Sequence, residues 1–156
     1  MLEIAIPGGN ALELKHLVLD YNGTIACDGA LIDGVAERLA DLSRELEVHV
    51  LTADTFGSVQ QQLAGISCRL SIIAKDNQDQ AKKNYVQELG LANCVCVGNG
   101  RNDRLMLQEA ALGIVVIQAE GAAVAAVTAA DVVTTSVLDA LDLLLHPLRL
   151  AATLRS

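Results

Sequence analysis

Three short apolar runs, "HLVLD" over 16–20, "VHVLT" over 48–52 and "CVCVG" over 94–98, end on a polar residue or a glycine. Aliphatic and β-branched residues without polar alternation suit strands buried on both faces, as in a parallel sheet covered by helices. The segments between them have helical spacing. In "GVAERLADLSREL" the apolar positions are Val35, Leu39, Leu42 and Leu46, one face of a helix. "QDQAKKNYVQELG" is a second helix, stopped by Gly90, because glycine readily takes the left-handed conformation that ends helices. The alternation predicts a three-layer α/β/α architecture with a mainly parallel central sheet.

The rest of the chain extends the pattern. "LEIAIP", "GGN" and "ALELKHLVLD" read as an amino-terminal β-hairpin leading into a first main strand from about Leu14 to Asp20. "FGSVQQQLAG" is a helix, "CRLSII" a strand and "DRLMLQEA" a helix. "GIVVI" and "DVVTT" are strands flanking an alanine-rich helix, and "SVLDALDLLL" is a helix opening on Ser136, whose hydroxyl is a good amino-terminal cap. A last short helix follows His146-Pro147. No repeat, linker or break in composition divides the 156 residues, so residues 1–156 read as one domain. Apolar residues make up 52% and aromatics 2%, so the core must be aliphatic.

Charge narrows the function. With 19 acidic against 11 basic residues the formal net charge is −8. That disfavours nucleic-acid binding, which draws on Lys and Arg, and docking on anionic membranes. Cys27, Cys68, Cys94 and Cys96 have no metal or disulfide spacing and read as free thiols, Cys94 and Cys96 on one buried strand face. "MLEIAIPGGN" lacks the basic flank and apolar stretch of a secretory signal, so a cytoplasmic location is expected. His16, His49 and His146 show no ligand spacing and read as structural.

In open parallel sheets ligands gather at the carboxyl ends of the strands. Here those ends carry Asp20, Asn22, Gly23 and Thr24, then Thr52, then Gly98, Asn99, Gly100, Asn102 and Asp103, and Lys82 and Lys83 lie on the preceding helix. Hard oxygens hold a cation such as Mg2+, while an amine and a hydroxyl hold a phosphoryl anion.

"DYNGT", "LTADT", a helix lysine and "GNGRNDRLML", in that order, resemble the four motifs of the haloacid dehalogenase superfamily. The motifs look closest to small soluble relatives of the P-type ATPase phosphorylation domain. The resemblance implies a Mg2+-dependent phosphohydrolase or phosphotransferase. Asp20 matches the nucleophile that becomes an aspartyl-phosphate, and Thr52 the hydroxyl that donates to a phosphate oxygen. Thr24 and Asn102 join the phosphate-binding set. Lys82 fits the third motif by its spacing to Val86 and Leu89, with Lys75 and Lys83 as alternatives. Mg2+ would rest on Asp20, the Asn22 carbonyl, Asn99 and Asp103.

Two positions depart from the motifs. Asn22 stands where most phosphatases of the superfamily carry the aspartate that protonates the leaving group. Asn99 stands where a metal-binding aspartate is usual. An amide gives a hydrogen bond or a ligand oxygen but no proton and no charge, so slow turnover is expected. A phosphate- or metal-binding module without turnover is the alternative. The spans between motifs leave room only for the loop "IACDGALID", so no cap domain is expected. The substrate would be a phosphorylated small molecule or a larger phospho-substrate. A second copy of the chain could supply a lid, with "LDLLLHPLRLAATL" as the associating face. A receiver domain would carry its aspartate on a middle strand, and a dinucleotide-binding domain would need G-x-G-x-x-G after the first strand. Neither pattern is present.

Overall fold

The computed structural model describes residues 1–54 and 57–156. Thr55, which closes the second motif, and Phe56, the expected start of a helix, lie outside the described residues.

The central sheet has six strands, all parallel: β3 (His16–Asp20), β6 (Glu47–Thr52), β7 (Arg69–Ile72), β8 (Cys94–Gly98), β9 (Leu112–Val116) and β10 (Val132–Thr134). Their order is β10-β9-β8-β3-β6-β7. β3 and β8 are neighbours, so the first and fourth motifs leave the sheet side by side, and β6 brings the second motif against β3 from the other side.

Alternate residues face opposite sides of a strand, and this builds two cores. Leu17, Leu19, Val95, Val97 and Ile114 pack towards α1 (Val35–Leu42), α6 (Val137–Leu145) and α7 (Pro147–Leu154). Val18, Leu51, Cys94, Cys96 and Val115 pack towards α3 (Gln78–Leu89), α4 (Arg104–Glu109) and α5 (Val124–Ala129). Cys94 and Cys96 therefore share one face, as the alternation predicts. Arg38 on α1 grips both carboxylate oxygens of Asp142 on α6, at 2.8 and 3.3 Å, which links the helices of one layer. Ser136 caps α6 by accepting from the Asp139 N–H at 3.1 Å.

The boundaries differ in informative ways. The amino-terminal hairpin, β1 (Leu2–Ile4) and β2 (Leu12–Leu14), forms its own antiparallel sheet instead of prolonging β3. The break falls at Lys15, whose N–H donates to Asn93 and whose carbonyl accepts from Glu47. Helix α1 stops at Leu42, because the Ser43 hydroxyl bonds back to the Ala40 carbonyl and the chain tightens into turns. The helix over 58–62, α2 (Ser58–Gln62), is shorter than its apolar pattern. The expected loop "IACDGALID" contains a small hairpin, β4 (Ala26–Cys27) and β5 (Ala30–Leu31). Its turn is Asp28-Gly29 with φ of 51 and 81 degrees, and Asp-Gly favours such left-handed hairpin turns. Among the described residues no cap is inserted and no helix is long and apolar enough to cross a membrane.

Candidate active site

Asp20 is the last residue of β3 and is almost fully buried. Lys82 reaches it from α3. In that helix Gln78, Lys82 and Val86 recur every four residues and so share a face. Val86 anchors the face in the core, Gln78 touches Asn102, and Lys82 sends its ammonium between two carboxylates. Nζ lies 2.7 Å from Asp20 Oδ1 and 2.7 Å from Asp103 Oδ1. Of the alternatives, Lys83 turns outward to Glu109 at 3.0 Å and Lys75 is exposed.

Asp103 closes the turn after β8. Its Oδ2 accepts from the N–H groups of Asn99 and Gly100 at 3.0 and 2.9 Å. Both oxygens of this buried carboxylate are thus committed, one to Lys82 and one to the loop. Gly98 is required here: a Cβ would stand 2.5 Å from the Asp103 carboxylate. Gly23 meets the same loop from the other side. Its φ is +80 degrees and a Cβ there would run into the Asn99 side chain.

Two carboxylates against one ammonium leave an excess negative charge in a buried place. Burial, then the charge of Asp103, push the Asp20 carboxyl up to about 7, against the pull of Lys82 and Thr24. Burial works against the Lys82 ammonium, but Asp20 and Asp103 outweigh it and hold its pKa above the ordinary lysine value.

Thr24 is fully buried behind Asp20. Its hydroxyl lies 2.9 Å from Asp20 Oδ2 and 3.2 Å from Asn99 Oδ1. One proton cannot serve two acceptors, so two hard oxygens converge with too little positive charge between them. That donor set, with the excess negative charge, fits an oxygen-seeking divalent cation held by few charged ligands. Asn99 is fixed by its amide, which donates to the Gly121 carbonyl at 3.0 Å.

Asp20, Asn22, Thr52, Lys82, Asn99 and Asn102 line an open cleft of 380 Å³. Thr52 ends β6, and its Oγ1 accepts from the Asp54 N–H at 3.2 Å. Asn102 has Oδ1 3.5 Å from Lys82 Nζ and Nδ2 2.8 Å from Gln78 Oε1. Asn22 is exposed at the mouth. A wider hollow of 590 Å³ adjoins the cleft through Gln78, Gly100 and Asn102, and its far wall carries Arg101 and Arg104. Of the residues expected from the motifs, Asp20, Asn22, Thr52, Lys82, Asn99 and Asn102 thus lie around one cleft. Thr24, expected to bind phosphate, and Asp103, expected to bind the metal, are instead fully buried behind it, Thr24 against Asp20 and Asp103 against Lys82 and the loop amides.

Two supporting residues lie outside the four motifs. Gln78 lies four before Lys82, a spacing that could have found it. Gln118, just past β9, donates to the Gly23 and Thr24 carbonyls at 3.2 and 2.6 Å and accepts from the Val137 N–H at 2.9 Å. It sits at a strand end, the place where the ligand rule directs attention.

No family model matches the chain. The uncharacterized protein MJ0073 of Methanocaldococcus jannaschii is 44% identical over 79 residues, which are 48% of this chain and 85% of that protein. MJ0072 of the same organism is 51% identical over 39 residues, 25% of this chain and 89% of that one. Solved structures share the fold. A 3-deoxy-D-manno-octulosonate 8-phosphate phosphatase of Moraxella catarrhalis, in complex with magnesium ion, phosphate ion and its octulosonate, has a TM-score of 0.71 and 18% identity, covering 85% of this chain and 86% of that one. The cobalt-bound deoxy-D-mannose-octulosonate 8-phosphate phosphatase of Haemophilus influenzae has a TM-score of 0.72 and 12% identity, covering 92% and 94%. A Legionella pneumophila protein assigned to subfamily IIIA of the haloacid dehalogenase superfamily has a TM-score of 0.72 and 17% identity, covering 90% and 86%. The chain belongs to one family with the Methanocaldococcus jannaschii protein MJ0073, and its fold is that of the haloacid dehalogenase superfamily.

Proposed function

We propose that the chain is a Mg2+-dependent phosphohydrolase or phosphotransferase that works slowly through an aspartyl-phosphate on Asp20. The observation that carries this reading is the Lys82 ammonium 2.7 Å from Asp20, at the base of an open cleft rimmed by Thr52 and Asn102. A purely structural ion pair has no need of a cleft above it.

A carboxylate oxygen of Asp20 attacks phosphorus, and the bond from phosphorus to the leaving oxygen breaks with its electron pair on that oxygen. Lys82 balances the charge of Asp20 and of the transferring group, while the Thr52 hydroxyl and the Asn102 amide donate to phosphoryl oxygens. Asn22 cannot protonate the departing oxygen, so water must, and good leaving groups are favoured. In the second step water attacks the phosphorus of the aspartyl-phosphate, again without a base at position 22, and phosphate departs from a restored Asp20. A bound Mg2+ would polarise the phosphoryl group and offset the negative charge gathered there. Asp20, the Asn22 carbonyl and the Asn99 amide oxygen are assigned as its protein ligands. Asp103, expected from the sequence as a fourth ligand, instead supports them from behind, because both its oxygens are already taken by Lys82 and the loop amides. The substrate class is a phosphate ester or acyl phosphate, free or carried on a larger molecule, because the cleft is open among the described residues.

Intact-protein mass spectrometry with Mg2+ and acetyl phosphate tests the reading, with Asp20→Ala in parallel and released phosphate followed in the same sample. One added phosphoryl mass in the parent alone, or phosphate release lost in Asp20→Ala, is the expected result. A folded parent that gains no mass and releases no phosphate would leave a binding module and overturn the enzyme.

A further inference from the structure

We propose that His16, Glu47 and His49 form a binding site for a zinc-class divalent cation at the amino-terminal edge of the sheet, away from the candidate active site. The three histidines are scattered in the sequence, but strand register gathers two of them. His16 opens β3 and is paired with Glu47, the first residue of β6. His49 stands two residues further along β6, on the same face as Glu47. His16 Nδ1 lies 3.2 Å from His49 Nε2 and 3.4 Å from Glu47 Oε2. All three ligand atoms lie within 4.8 Å of one another.

The spacing suits a particular metal geometry. Zinc bonds to imidazole nitrogen and carboxylate oxygen are about 2.0–2.2 Å, so neighbouring ligand atoms of a tetrahedral site stand about 3.3 Å apart. Two of the three edges are already near that length, and the half-exposed Glu47 side chain can move with its exposed partner Arg69 to shorten the third. Two imidazoles with one carboxylate favour zinc, nickel or cobalt over Mg2+. Glu47 is exposed, so a water would complete the fourth position from its side.

The surroundings fix the rings. His49 is fully buried, and its Nδ1 lies 2.8 Å from the Tyr85 hydroxyl, which also accepts from Ser71 at 3.3 Å. That contact turns Nε2 towards His16. A histidine ligand held through its other ring nitrogen is the usual arrangement around a bound metal. Arg69 holds Glu47 by Oε1 at 2.9 Å, leaving Oε2 to face His16. In the metal-free form the two facing ring nitrogens share one proton, and a cation would displace it. Asp20 lies at the other end of β3, about 13 Å away at the usual strand rise. The cation would clamp the two central strands and stabilise the folded chain by mass action.

The experiment is calorimetric titration of EDTA-treated protein with Zn2+, in excess Mg2+ to occupy the phosphoryl cleft, with the melting temperature read alongside. His16→Ala and Glu47→Gln are the variants. Both positions reach the surface, and circular dichroism reports whether each variant folds. The parent should bind one equivalent and melt higher with Zn2+. Each folded variant should bind at least tenfold more weakly while phosphorylation at Asp20 is unchanged. No Zn2+ binding by the parent, or equal binding in the folded variants, would overturn the site.

Discussion

On the proposed reading, the amide of Asn22 sets how long a phosphorylated Asp20 would last. The Asn22 side chain is exposed at the mouth of the cleft, so Asn22→Asp places the new carboxyl in a solvated position above the buried charges. General acid–base catalysis is typically worth about 10²- to 10⁴-fold. Phosphate release by Asn22→Asp should rise towards that range, with the larger gain on esters whose leaving groups are poor. Steady-state assays on aryl phosphates of graded leaving-group pKa check this, and a uniform or absent gain would remove Asn22 as the cause of slowness. At this scale the sequence was informative wherever chemistry depends on local spacing. Lys82 was distinguishable from Lys83 because one residue of offset on a helix turns a side chain by about 100 degrees. The pairing of His16 with His49 was not legible. It depends on the register of two strands 33 positions apart, which no local pattern reveals.

Among the elements, β8 was the most legible, because an unbroken apolar run has few alternatives to a buried central strand. The same burial predicts how its thiols behave. Burial pushes Cys94 up to about 11 and Cys96 well above its ordinary value, and raises Cys68 too. Cys27, in the small hairpin, is only partly covered. A cysteine attacks a disulfide reagent as its thiolate. At pH 8 the native protein should therefore react first at Cys27 and more slowly at Cys68, with the two β8 thiols labelled only after denaturation. Peptide mapping of the labelled sites checks the order, and native labelling of Cys94 would contradict the packing of β8. The elements read less well are short ones whose limits are set by side-chain bonds. Ser43 ends α1 early through its own backbone bond, and the Asp28-Gly29 turn makes a hairpin from a segment too short to show strand periodicity.

In the whole molecule, stability and candidate function meet in one triad. Lys82 ties β3, α3 and the turn after β8 together through Asp20 and Asp103, so three separate parts of the fold converge on one buried ammonium. Removing one member of a buried ionic group typically costs about 3–5 kcal/mol, because the remaining charges lose their compensation. Lys82→Met should fall in that range in urea unfolding. Adding Asp20→Asn to Lys82→Met should recover part of the loss, since it removes one of the two carboxylates left without a partner. An amide at position 20 can still pair with Thr24, whose hydroxyl is then free to donate to Asn99 Oδ1. Asp20→Asn alone relieves the excess negative charge and should cost little, while abolishing phosphorylation. A Lys82→Met protein as stable as the parent would show that the triad contributes nothing to the fold. A double variant no better than Lys82→Met would show that the loss comes from packing of the lysine stem and not from charge. The expected pattern is a site whose charges are costly to assemble and costly to leave without Lys82, an arrangement that would hold Asp20 in place for the proposed attack.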